Sequence, residues 1–107
     1  MAKQLEWIRQ GDVAFVRCDT EVRGYQRTNG KAIRGKTLVV AEGEVTGHAH
    51  VLTGDLKYDR EQEPAFVKVN GVATLTHQEH ATVEIPDGTW RIVRQREFWG
   101  EERRVAD

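Results

Sequence analysis

The stretch AFVKVNGVATLTHQEHATVEIPDGTWRIVRQ, residues 65–95, decides the fold. Residues 65–69 and 72–76 are β-branched and apolar on either side of Asn70 and Gly71. Asn-Gly suits a two-residue type I′ hairpin, whose central residues both need positive φ. Residues 81–85 and 89–95 are likewise extended in character, on either side of Pro86, Asp87 and Gly88. Proline presets φ and glycine accepts the left-handed region, so this reads as a second turn. Two hairpins are expected here, 65–69 with 72–76 and 81–85 with 89–95.

Outward from this stretch the pattern continues. Asn29 and Gly30 give a third turn signal. Residues 12–18 (DVAFVRC) form a β-branched and aromatic run. Residues 37–41 (TLVVA) are almost continuously apolar, as in a strand buried on both faces. Residues 44–53 (EVTGHAHVLT) alternate. Residues 58–64 (YDREQEP) read as a charged surface loop. A helical period is hard to find outside the short charged tail from about residue 100. The expectation is a single all-β domain over residues 1–107, a small antiparallel barrel or sandwich built from hairpins.

Composition narrows the function classes. The chain has 107 residues, of which 38% are hydrophobic, so its core is thin. A thin core leaves little surplus over chain entropy, which favours help from a metal, a partner or self-association. Sixteen Lys and Arg against seventeen Asp and Glu give a net charge of -1. That balance argues against nucleic acid as the main partner. Nothing reaches transmembrane length, and the first ten residues lack the apolar run of a secretory leader. The expected setting is the cytoplasm or the interior of a larger particle such as a virion.

Cys18 is the lone cysteine, so no intramolecular disulfide forms, and it reads as a structural residue in a strand. Serine is absent, which removes a serine nucleophile, and there is no P-loop or GxGxxG. Glu42, Glu44 and Glu84 lie near the histidines in sequence and are candidates for acid–base work, against the simpler reading of solvent-facing charge.

The four histidines carry the sharpest signal. They fall in two clusters, His48 and His50 in GHAH, and His77 and His80 in HQEH. In a strand, residues two apart share a face. His48 and His50 therefore point together, and the pattern sets them opposite Val45, Ala49 and Val51. His77 and His80 converge only if Gln78 and Glu79 make a turn or bulge. Together the clusters predict one site for a transition metal, with zinc first and iron, nickel or copper also suited. Glu79 would be a fifth ligand, a supporting partner or simply solvated. The alternative is that the histidines only line a polar face or respond to pH.

Phe98 and Trp99 either cover the core or anchor a neighbouring subunit, so a homo-oligomer or larger assembly is expected. The leading functional expectation is a non-enzymatic, metal-stabilised structural or assembly module. Its rival is a small metalloenzyme with an open coordination position.

Several segments carry a resemblance. QGDV at 10–13, AEGEVTGHAH at 41–50, HQEH at 77–80, PDGTWR at 86–91 and RQREF at 94–98 resemble a family of small uncharacterised bacterial and phage proteins. That resemblance implies a type and carries no activity. A looser one is to cupins, through the glycine-preceded HxH at His48 and His50 and the PxG turn at Pro86 and Gly88. The usual cupin glutamate is missing, with Thr53, Gly54 and Asp55 standing there, and Arg91 occupies the position of the later cupin histidine. The cupin resemblance implies a β-barrel with inward histidines.

Overall fold

Among the described residues, seven strands pair antiparallel in one sheet: β1 (Trp7–Gln10), β2 (Val13–Cys18), β3 (Ile33–Glu42), β4 (Ala49–Tyr58), β5 (Phe66–Thr76), β6 (Val83–Ile85) and β7 (Gly88–Arg94). The computed structural model describes residues 6–19, 22, 31–42 and 47–95. The strand order is β1-β2-β7-β5-β4-β3, and β6 pairs with β5. The class is all-β, as expected. Among the described residues the architecture is one sheet with β1 and β3 at its edges, not closed into a barrel.

One face of the sheet supplies the core. Val13 and Phe15 of β2, Leu52 and Leu56 of β4, Val67, Val69 and Leu75 of β5, and Trp90 and Ile92 of β7 are buried there. Strict alternation explains the set, because every second residue of a strand faces the same side. Two buried polar side chains tie the sheet across its concave side. Gln10 of β1 donates to the carbonyls of Leu75 (3.0 Å) and Ala81 (2.9 Å). Arg94 of β7 donates to the carbonyls of Val40 (2.8 Å) and Pro64 (2.6 Å). Side-chain hydrogen bonds thus bridge distant strands where a backbone ladder does not.

Both expected hairpins in residues 65–95 are replaced. Asn70 and Gly71 lie inside β5, which runs straight through them. β5 pairs with β4 on both sides of the point, Thr53↔Thr74 and Asp55↔Asn70, so Gly71, Val72 and Ala73 oppose Gly54 alone. Gly71 has φ 83°, while Asn70 is not at positive φ. A type I′ turn needs both, whereas a bulge needs one. The Asn-Gly signal therefore marked a bend rather than a reversal.

The Pro86 turn differs for a related reason. β6 pairs with Ala73, Thr74 and Leu75, and β7 pairs with residues 66–69, so β6 and β7 run as one interrupted strand along β5. Pro86 and Asp87 stand opposite the β5 bulge, where Asp87 Oδ1 accepts the Gly71 N–H at 2.9 Å. A proline without an N–H and a side-chain acceptor fit a break in the ladder.

Other segments also depart from expectation. β3, read as buried on both faces, is an edge strand: Leu38 and Val40 are buried and Val39 is exposed. In the segment read as a surface loop, Tyr58, Asp59 and Pro64 are buried. The Asp59 carboxylate accepts the Ala65 N–H at 3.1 Å and so shapes the turn into β5. β1 was not expected, since Arg9 and Gln10 are polar and Trp7 and Ile8 stand in a polar stretch. Cys18 ends β2 half-buried, with its thiol free. The turn at Asn29 and Gly30, Phe98, Trp99 and the charged tail lie outside the described residues. Among the described residues no helix is long and apolar enough to cross a membrane.

Candidate functional site

Three segments meet at one end of the concave side. The β1–β2 hairpin closes with Gln10 opposite Val13, which leaves Gly11 and Asp12 as its turn. β4 begins at Ala49, one residue after His48. The β4–β5 ladder ends at Val51↔Thr76, which sets His50 beside His77. Residues 77–82 then leave the ladder before β6, the irregularity that lets His77 and His80 converge despite their spacing. Gln78 Oε1 accepts the Ala49 N–H at 2.9 Å and fastens this connection to β4.

All four imidazoles are brought together. Ring centres are 4.3 Å apart for His50 and His77, 4.6 Å for His77 and His80, 5.7 Å for His48 and His77, and 5.9 Å for His50 and His80. Two imidazoles sharing a tetrahedral zinc have ring centres roughly 5 Å apart, given Zn–N bonds of about 2.0–2.1 Å. One orientation was misjudged. His50 shares the buried face of β4 with Leu52 and is itself 2% exposed, so it points toward the core side. The sequence pattern had set it on the opposite face because Ala49 and Val51 are apolar, yet those two are only half-buried.

His50 is the best-defined member. Its Nδ1 is 2.8 Å from Gln10 Oε1 and its Nε2 is 3.1 Å from Asp12 Oδ1. The Gln10 amide nitrogen donates to two carbonyls, so its oxygen must be the atom that meets His50. Nδ1 therefore carries the hydrogen, and in the neutral ring the Nε2 lone pair faces a carboxylate oxygen. Two acceptors at that distance repel unless a cation lies between them. A proton or a metal ion meets that need. Zn–N and Zn–O bonds of about 2.0–2.2 Å put tetrahedral ligand atoms roughly 3.3 Å apart, close to the spacing here.

The other three are less prepared. His77 Nδ1 accepts the Glu79 N–H at 3.0 Å, which puts the ring hydrogen of neutral His77 on Nε2. His48 Nε2 is 3.7 Å from Glu79 Oε2, an ion pair only when the ring is protonated. His80 lies over Gly11, where a Cβ would come within 2.5 Å of its Nε2. Gly11 also has φ 58°, so this turn both needs glycine and makes room for the ring. Among the described residues no three His, Cys, Asp or Glu side chains already hold their donor atoms in metal-binding geometry. The rings are gathered, but turning about their side-chain bonds is required to aim them together.

Burial and mutual repulsion disfavour protonation at the centre of the cluster. Burial lowers the pKa of His50, and the neighbouring His77 adds to this against the pull of Asp12. His77 is lowered by burial and then by His80 and His48. Both therefore bind fewer protons folded than unfolded below about pH 6.5. Stability rises with pH where the unfolded chain holds more protons. The metal-free protein is expected to keep this contribution above about pH 6.5 and lose it as pH falls toward the folded-state values. Thermal melts from pH 7.5 to 5.5 check this, and His50→Ala should flatten the profile. An unchanged slope in that variant would rule out His50 as the source.

The histidines were legible in sequence; their supports, Gln10, Gly11 and Asp12, were not assigned to the site. The available signal was a Gly-Asp turn between two extended runs. Of the candidate carboxylates, Glu42 ends β3 and Glu84 lies in β6, both exposed, while Glu44 lies outside the described residues.

A protein-family model described as a domain of unknown function, DUF8820, matches residues 9–95, a span that takes in Gln10, Asp12 and all four histidines. No curated protein and no solved structure matches the chain.

Proposed function

The chain belongs to the DUF8820 family, and from that premise we propose that it is a metal-binding β module whose ion is held first by His50 Nε2 and the Asp12 carboxylate. The observation that carries this reading is the 3.1 Å approach of those two acceptors, with Gln10 holding His50 in the tautomer a metal requires. Two of the remaining imidazoles of His77, His80 and His48 complete a four-ligand sphere after their rings turn, and Glu79 supports His48. Zinc is the first choice for such nitrogen and oxygen donors, with iron, nickel or copper as competitors. The ion would join the β1–β2 turn, the start of β4 and the 77–82 connection. Its binding free energy would then add to folding free energy, which suits a thin core.

The role that follows is structural, in a self-associating or particle-borne subunit, with Phe98 and Trp99 as the proposed contact. A second reading, an enzyme with an open coordination position, has one observation in its favour. The Asp12 side chain is 61% exposed, so this side of the centre opens to water. Ligand count by X-ray absorption on metal-loaded protein separates them: four protein ligands favour structure, three with a water favour catalysis.

The test of metal binding uses protein purified without a histidine tag. Titration calorimetry with zinc should give about one ion per chain. His50→Ala and Asp12→Asn should each weaken binding by at least tenfold, the scale seen when even supporting groups are removed. Absence of uptake for zinc, iron, nickel and copper alike would reject the proposal, as would wild-type affinity in both variants.

A further inference from the structure

The convex face of the sheet segregates charge in a way the net balance conceals. Cross-strand partners share a face, so the registers of the successive strands define rows across it. One row reads Trp7, Val16, Arg91 and Phe66 across β1, β2, β7 and β5. The next, toward the far end of β2, reads Cys18, Thr89, Lys68, Lys57 and Arg34 across β2, β7, β5, β4 and β3. On the other side of the Trp7 row stand Arg9, Ala14 and Val93. Five cations, Arg9, Arg34, Lys57, Lys68 and Arg91, thus occupy one contiguous half of the face.

The acids there are few. Asp59 continues the Trp7 row, but it is buried and its carboxylate is turned onto the Ala65 and Phe66 N–H groups. Asp55 pairs with Asn70 at the margin, beyond Lys57 and Lys68. Two aromatics interleave with the cations. Trp7 is 56% exposed and Phe66 is half-buried. They lie three strands apart, about 14 Å, with Arg91 between them.

We infer that this face binds single-stranded nucleic acid. Stacking on exposed aromatics requires bases whose faces are free, and those belong to single strands. The surrounding lysines and arginines meet the phosphates. An open sheet offers such a platform because its pleat lifts alternate side chains to one side. The inference is independent of the metal site, which lies on the concave side.

The test is fluorescence anisotropy of a labelled twelve-nucleotide oligo-dT with the full chain. Binding at 50 mM salt should saturate and weaken toward 200 mM. The log–log slope should be about −3 if four phosphates are neutralised. Trp7→Ala should weaken binding about fivefold to a hundredfold, while Trp7→Phe should retain most of it. Lys57→Ala with Lys68→Ala should reduce the slope by about 1 to 2. Trp7 and Lys68 are exposed and Lys57 is half-buried, and matched thermal melts verify that each variant is folded. Chelator should leave binding unchanged, which keeps this result separate from the metal proposal. No saturable binding at 50 mM salt overturns the inference. So do equal affinity for a duplex of the same length and wild-type affinity in both Trp7→Ala and the double lysine variant.

Discussion

Trp90→Ala is expected to cost about 3–5 kcal/mol of folding stability, the range for removing a large aromatic from a packed core. Trp90 is fully buried on β7. It sits between Arg17 of β2 and Val67 of β5 in the sheet, so its ring underlies three strands. Its indole N–H donates to the Pro86 carbonyl at 2.9 Å, at the interruption between β6 and β7. The Arg17 guanidinium lies 4.2 Å from the ring centre and adds a cation–π contact. Small domains hold only about 5–15 kcal/mol in total, so the variant should be near the limit of folding. Trp90→Phe keeps an aromatic ring and loses the Pro86 hydrogen bond, so an intermediate loss is expected. Urea denaturation of the three proteins measures the series. A loss below about 1 kcal/mol in Trp90→Ala would mean that the core is not organised on this ring.

Gln10→Ala is expected to be the most damaging change in the site, at about 2–4 kcal/mol, from unsatisfied buried groups at about 1–3 kcal/mol each. One buried amide serves three partners, the carbonyls of Leu75 and Ala81 and the Nδ1 of His50. Its loss strands all three at once. The residue also links β1 to the 75–81 segment, so its removal loosens the turn that carries Asp12. In the double variant Gln10→Ala with His50→Ala, the loss should fall short of the sum of the singles by about 0.5–3 kcal/mol, because the two share a hydrogen bond. Zinc affinity offers a second readout: Gln10→Ala should weaken it about 10- to 100-fold through the lost tautomer control. Strict additivity in the melts, with unchanged zinc affinity, would leave Gln10 as a packing residue only.

The parts of this fold that sequence revealed are those governed by local rules. Extended, β-branched or alternating runs located β2, the first half of β4 and most of β5 and β7, because one-sided burial favours such residues. Turn chemistry misled at Asn70 and Pro86, since positive φ and a missing N–H serve a bulge as well as a hairpin. Nothing local separates the two; the choice depends on β4 lying alongside both halves of β5. β1 was invisible because two of its residues, Arg9 and Gln10, are polar, and Gln10 earns its burial through partners about 65 to 71 residues away. The histidines stood out by their confinement to two short clusters. Asp12 did not, as a lone aspartate in a turn is commonplace. The rows on the convex face depend wholly on register, which composition averages away.

The pairing of β2 with β7 has a bearing on how the chain is made. It joins residues 13–18 to residues 89–94, nearly the two ends of the sequence. At about 5–20 residues per second, a ribosome needs several seconds to deliver the later strand after the earlier one. Through that interval the N-terminal hairpin has no neighbour on its inner edge, and Phe15 and Val13 have no core to enter. β7 is also the strand that bridges β2 to β5, so the β1–β2 hairpin and the β3–β4–β5 meander stay separate until it arrives. Folding of this sheet is therefore gated by β7, the last of the described strands to emerge, and long-range pairings of this kind are slow to form.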